Sequence, residues 1–340
     1  MLSDSNSSYE DSTALTSEII IPRLIRFWII LPLYIPSVIC SLFVLYNFIV
    51  HRKLRQAFHN HVITLLVFIN FIVQLTSIPW LLNYYRLGNV WPQNSIFCLT
   101  WTFIDEALYI ITTILFSWAT IERHILIFHD HLLSTKYKLI FFHYLPVVTI
   151  FLYGMCYNII VIIFPPCENT YDYSQLTCGD PLCYYEFDSV AMWDVIVNDL
   201  IPTIVIIYCS IALLLRVICQ KFRMHRTIRW RNHRKMTIQV LAISLLYLFI
   251  YVPTLLLEFI HRCGVSEEVG ANFMLYAEFF KYYGNLLLPF ICAVSMPELN
   301  KHINKIFSYC RRQTQAVGPQ PLTLARHVVG PPLIVRVIVS

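Results

Sequence analysis

Residues 98–124 read CLTWTFIDEALYIITTILFSWATIERH. Two acids, Asp105 and Glu106, come early, fifteen uncharged residues follow, and Glu122, Arg123 and His124 close the stretch. A bilayer core takes about 20 mostly apolar residues in a helix, so this run is long enough to cross it. A barrel strand would be about ten residues long and would alternate polar with apolar. The stretch does neither, and a helix satisfies its own backbone groups in lipid. An arginine at the inner end of such a helix is expensive unless paired or wet. Its plain explanation is a side chain that snorkels to the interface. The functional one is a charge held at rest and released to a cytoplasmic partner.

Six further stretches of this kind flank Ile96–Ile121: Phe27–Val50, Val62–Leu82, Leu139–Phe164, Val190–Cys219, Met236–Ile260 and Phe273–Val294. Pro32, Pro36, Pro146, Pro202, Pro253 and Pro289 lie within them, as lipid tolerates when neighbouring helices re-satisfy the freed backbone groups. Over 340 residues, hydrophobic side chains make up 57% and charged ones 13%, with a mean hydropathy of +0.61. Soluble domains carry roughly 25% charge, so a soluble globule, a disordered chain and a disulfide-stapled secreted module are all excluded. Nucleic acid is not expected as a partner. Residues 1–20 are acidic and polar, and no signal peptide is expected there.

Loop charge sets the orientation. Arg52, Lys53 and Arg55 follow the first span, and Arg216, Lys221, Arg223, Arg226, Arg229, Arg231, Arg234 and Lys235 join the fifth to the sixth, with no acid in either connection. The connection between spans four and five holds Glu168, Asp172, Asp180, Glu186 and Asp188 and no base. The N-terminus is therefore expected outside and the C-terminus inside. The basic connection doubles as an anchor to anionic membrane lipid. Asn6-Ser7-Ser8 is a candidate glycosylation acceptor on the outer face. Of eleven cysteines, Cys98, Cys167, Cys178, Cys183 and Cys263 fall on the oxidising outer side, where sequence does not fix their connectivity. Cys310, beside Arg311 and Arg312, is a candidate palmitoylation site.

Spacing then adds a resemblance. Arg123 follows Cys98 by 25 residues, Trp91 precedes Cys98 by seven, and Pro202, Pro253 and Pro289 stand within spans five, six and seven. Asn60 stands just before span two and Asn70 within it, and Pro297-Glu298-Leu299-Asn300-Lys301-His302-Ile303 comes after span seven. In these features the chain resembles the rhodopsin-like G-protein-coupled receptors, as a divergent member, over roughly residues 25–310. The resemblance implies an all-α integral membrane protein, a seven-transmembrane-helix bundle in the plasma membrane. It would be organised as an extracellular segment 1–26, a bundle 27–296, an amphipathic surface helix 297–310 and a disordered cytoplasmic tail 311–340. It implies a heterotrimeric G protein and arrestin as partners, with Glu122, Arg123, His124, Pro202, Pro253 and Pro289 in the switch. It implies a Cys98–Cys183 disulfide, leaving Cys167 and Cys178 as a possible second pair. The departures are definite. Ser41 stands where the family has asparagine in span one, and Asn70 stands where it has aspartate. Span six reads Ile250-Tyr251-Val252-Pro253 and span seven Leu288-Pro289-Phe290-Ile291-Cys292. Span six has no acid to clamp Arg123, so no interhelical ionic lock is expected and Arg123 is left to pair with Glu122.

Acids cluster in the outer half of the bundle. Asp105 lies seven residues after Cys98, Asp194, Asn198 and Asp199 lie outward of Pro202, Glu258 lies five residues outward of Pro253 and Glu278 eleven outward of Pro289. Intramembrane acids are functional candidates by default. By the resemblance, Asp105 takes the place of a carboxylate for cationic ligands, and Tyr282 that of its supporting tyrosine. The expected ligand site is Asp105, Glu106, Tyr109, Asp194, Tyr251, Glu258, Glu278 and Tyr282, for a basic or amidated neuropeptide-like ligand. A structural network in which Lys281 pairs with Asp105 or Glu106 is the plain alternative. So many acids exceed what a monoamine needs, which leaves a biogenic-amine receptor as second reading. An opsin lysine would fall at Tyr282 and not at Lys281. A seven-helix metal hydrolase would need histidines paired about an acid, which the twelve histidines do not supply. A transporter would show repeats or broken helices. No enzyme activity, cofactor or metal is expected.

Overall fold

A computed structural model describes residues 21–56, 60–128, 136–179, 182–223, 228–266 and 268–295. Asn6, Cys310 and the 297–310 and 311–340 segments lie outside the described residues. Seven long helices run in order: α1 (Arg23–Val50), α2 (His61–Leu87), α3 (Ser95–Phe128), α4 (Tyr137–Ile163), α5 (Asp188–Arg216, running on to Arg223), α6 (Ile228–Arg262) and α7 (Ala271–Ser295). Six are long and apolar enough to cross a membrane by length and composition. The remaining helix, α7, has 25 residues and packs on α6, α1 and α2. Glu278, Lys281 and Asn285 place two charged groups and a carboxamide along it. Phe249, Leu245 and Ile39 stand outward and exposed, which in water would be a liability and in lipid is the required coat.

Proline shapes the helices locally. It has no N–H and its ring crowds the carbonyl four residues back. Within α5 the turn Asp194–Leu200 widens to a π-helical register just before Pro202, and in α4 the turn Ile140–Tyr144 does so before Pro146. α2 bends at Thr76 (φ −111°, ψ −77°), three residues before Pro79, and the Thr76 hydroxyl donates to the Ile72 carbonyl at 2.8 Å. In α7 Pro289 leaves the Asn285 carbonyl without its helical donor. Asn70 Nδ2 donates to that oxygen at 2.9 Å and Gln74 Nε2 at 3.1 Å. Gln74 Nε2 also donates to Ser37 Oγ and Gln74 Oε1 accepts from Ser41, both at 2.8 Å, while Ser37 donates to the Leu286 carbonyl at 2.7 Å. A polar knot thus joins α1, α2 and α7 where apolar packing alone would leave a buried carbonyl unsatisfied.

Close approach elsewhere needs a missing side chain. A Cβ on Gly154 of α4 would sit 2.4 Å from Ile111 Cγ1 of α3, so glycine there lets the two helices meet. Toward the outer face an apolar cluster of Ile30, Ile78, Leu81, Tyr85, Cys98, Trp101, Phe279 and Leu286 ties α1, α2, α3 and α7 together.

Candidate functional site

The outer half of the bundle brings most of the expected residues together. Lys281 of α7 lies within electrostatic reach of Glu106 of α3, Glu258 of α6 and Glu278 of α7, and its ammonium sits 4.9 Å above the Tyr109 ring, a cation–π placement. Asp105, also within reach of Lys281, accepts instead from the indole Nε1 of buried Trp101, one turn back, at 3.1 Å. Tyr282 is within reach of Asp105, Glu106 and Glu278. Tyr251 stacks on Tyr247 with ring centroids 4.8 Å apart, lies 5.8 Å from Tyr109, and its hydroxyl donates to the Lys281 carbonyl at 3.4 Å. A Cβ on Gly284 would meet the Tyr251 hydroxyl at 3.0 Å, so a larger residue at 284 would oblige that tyrosine to shift. Asp105, Glu106, Tyr109, Tyr251, Glu258 and Tyr282 are each partly accessible and Glu278 is exposed. The residues expected to bind a ligand therefore line one outer region around a single ammonium.

Asp194 departs from that set. It is buried at 5% exposure and accepts from Asn198 at 2.6 Å, Tyr157 at 3.0 Å, Tyr184 at 3.3 Å and Tyr185 at 3.4 Å. Tyr153 in turn donates to Asn198 Oδ1 at 2.7 Å. The wide turn before Pro202 swings Asp194 toward α4 and the outer loop, where it is a structural hub. In that loop, burial first and the Asp194 carboxylate second push the Tyr184 phenol well above its ordinary value, so it stays a donor. Asp199, one turn inward, is 9% exposed and its Oδ1 has no hydrogen-bond partner.

The outer loop corrects the expected disulfides. Cys98 pairs with Cys178, and Cys167 pairs with Cys183. The loop's middle, and not its last cysteine, lies over α3. Val90 N donates to the Tyr173 carbonyl at 2.8 Å and the Tyr84 hydroxyl to the Ser174 carbonyl at 3.1 Å, and Tyr171, Tyr173 and Leu176 pack on the outer apolar cluster. That seats fully buried Cys178 at the top of α3. Cys183 instead joins Cys167, with its N–H donating to Asn169 at 3.2 Å. A turn at Asp172 holds the middle section. The hydroxyl and then the N–H of Ser174, with Gln175, bond its carboxylate and keep its pKa below the usual value. That support exists above the ordinary aspartate range and is lost only as pH falls through the lowered value.

At the inner end α3 continues to Phe128, so Glu122, Arg123 and His124 lie inside the helix and not at its last turn. Glu122 and Arg123 are buried at 2% and 1% exposure. Glu122 lies within electrostatic reach of Arg123, and its Oε1 also bonds His143 Nδ1 of α4 at 2.5 Å. Sequence reasoning weighed His61 and His143 only as metal ligands and gave them no other role. The missed signal is that His61 and His143 stand at the inner ends of two spans, level with Glu122. Pro202 ends the wide turn of α5, while Pro253 and Pro289 lie inside α6 and α7.

A family model described as "7 transmembrane receptor (rhodopsin family)" matches residues 41–291. The chain belongs to that family: it is a rhodopsin-family G-protein-coupled receptor, a multi-pass protein of the plasma membrane. No curated protein matches it.

Proposed function

We propose that this receptor answers an extracellular cationic ligand, a basic or amidated peptide, and passes the signal to a heterotrimeric G protein and to arrestin. One observation carries the reading: Asp105, Glu106, Glu258 and Glu278 all lie within electrostatic reach of one ammonium, Lys281, in the outer half of the bundle. Four carboxylates against Lys281 and against Arg262, which also acts on Glu258, leave an excess of negative charge, and like charges at such range repel. A further cation relieves that repulsion. Asp105 is its main counter-ion, with Glu258 and Glu278 beside it and Tyr109, Tyr251 and Tyr282 offering aromatic faces. Asp194, occupied by four donors, supports the wall. A biogenic amine is the second reading, favoured only by the position of Asp105. The breadth of the acidic region favours a ligand with more than one cationic or donor group.

The test is a panel of amines and amidated peptides read by second messenger and by arrestin recruitment. Loss of a charge-assisted bond costs about 1.5–3 kcal/mol, roughly 10- to 100-fold in potency. Asp105→Asn and Glu278→Ala are expected to show that loss with surface expression retained. Unchanged activation by every active ligand in both variants would sink the reading. Guanine-nucleotide exchange on a purified G protein separates a receptor from a membrane hydrolase.

A further inference from the structure

The Glu122–His143 contact is the first link of a chain. His143 Nε2 lies 3.3 Å from His61 Nδ1 of α2, and His61 Nε2 lies 2.6 Å from the Arg55 carbonyl in the first inner connection. His143 is 2% exposed and His61 is half-buried, so the chain leads from the interior to the inner surface. The rings also pack: His61 and His143 centroids are 5.4 Å apart, and Tyr144 and Phe48 close over them at 4.7 Å from His143 and 6.0 Å from His61.

The far end fixes the protons. A carbonyl oxygen only accepts, so His61 Nε2 carries hydrogen. If His61 is neutral, its Nδ1 is a lone pair and His143 Nε2 must donate to it. If His143 is then neutral, its Nδ1 is also a lone pair and faces a carboxylate oxygen. One further proton must sit in the chain. It resides on Glu122 as an acid, on His143 as imidazolium, or on His61 as imidazolium donating back to His143. The three arrangements differ only by shifts of that proton along existing hydrogen bonds. Without it, a lone pair meets a carboxylate at hydrogen-bond distance and the link fails.

We propose that His143 and His61 are positioning residues that tie Glu122 of α3 to α4 and α2 through one shared proton, and that this tie opens as cytoplasmic pH rises. Among residues with described side chains, the other ionisable groups on the converging elements are His51 after α1, Arg52 and Arg55 of the first connection, Arg123 and His124 of α3, Tyr137, Lys138 and Tyr144 of α4, and Cys292 of α7. Among the described residues Glu122 is the one acid at this inner end, and its carboxylate ends the chain. Imidazole is the side chain that titrates between about pH 5 and 8. The tie with Glu122 needs one proton more than the same chain with glutamine at 122, so relative to Glu122→Gln its contribution is present at low pH and lost as pH rises.

The inner geometry alone carries this tie, whatever ligand the outer acids bind. The test is the melting temperature of purified receptor in phosphatidylcholine nanodiscs between pH 6 and pH 8. The variants are Glu122→Gln, His143→Gln and His61→Gln. Glu122→Gln supplies an N–H to His143 at every pH and imitates the protonated acid, so it should fold. Wild type should lose a few degrees relative to Glu122→Gln as pH rises, and both histidine variants should abolish that difference. Parallel melting of wild type and Glu122→Gln across the range would overturn the proposal, even if a histidine variant failed to fold. So would a difference that survived in both histidine variants.

Discussion

Gln74 shows how one residue settles three helices. It is fully buried, donates to Ser37 and to the Asn285 carbonyl, and accepts from Ser41. Gln74→Ala takes the acceptor from Ser41, leaves Ser37 with the Leu286 carbonyl, and leaves the carbonyl freed by Pro289 with Asn70 alone. Removing a buried partner costs about 1–3 kcal/mol, and the lipid environment moves single interhelical bonds toward the lower end. A drop in melting temperature with unchanged expression is expected for Gln74→Ala, and a smaller one for Ser41→Ala, which removes only one of these bonds. Asn70 was legible in the sequence as an aspartate replaced by a carboxamide. What it does instead was not, because its amide serves a carbonyl 215 residues away. Asp194 was legible as an intramembrane acid. That four donors claim it was not, because two of them, Tyr184 and Tyr185, come from the outer loop, whose path over the helices the residue order does not give.

At the scale of elements, helix positions were close to what hydropathy requires, since a span must be long and apolar wherever it falls. Their ends and irregularities were less so. α3 outran its expected end because Ile125, Leu126 and Ile127 continue the apolar run past the Glu-Arg-His triplet. The wide turns before Pro146 and Pro202 arise from proline chemistry, yet sequence does not say how the backbone reopens around each ring. The α3–α4 contact tests packing directly. Gly154→Ala places a methyl against Ile111, and overpacking costs about 1–3 kcal/mol. Adding Ile111→Ala should restore part of that loss. A double variant as unstable as the summed single changes would show that the two residues do not meet.

Across the whole molecule, scarce charge is sorted by side. Of 25 Lys and Arg, 20 fall on the inner side by the loop assignment, and acids dominate the outer half, so orientation and the acidic region were both readable from residue order alone. The disulfides were not, because three cysteines in one loop offer partners at similar chain distance and the choice rests on which section packs over α3. Peptide mapping of the unreduced receptor is expected to recover Cys98 linked to Cys178 and Cys167 linked to Cys183. A Cys98–Cys183 fragment would reject the loop geometry. That pairing also decides what kind of door the loop is. Cys167 and Cys183, 16 residues apart, close a ring, and Cys178 bolts one point of the ring to α3. A strap fastened in this way cannot swing aside like a hinged lid. Traffic to the acids beneath must pass beside it, and a slender chain end passes where a folded domain does not.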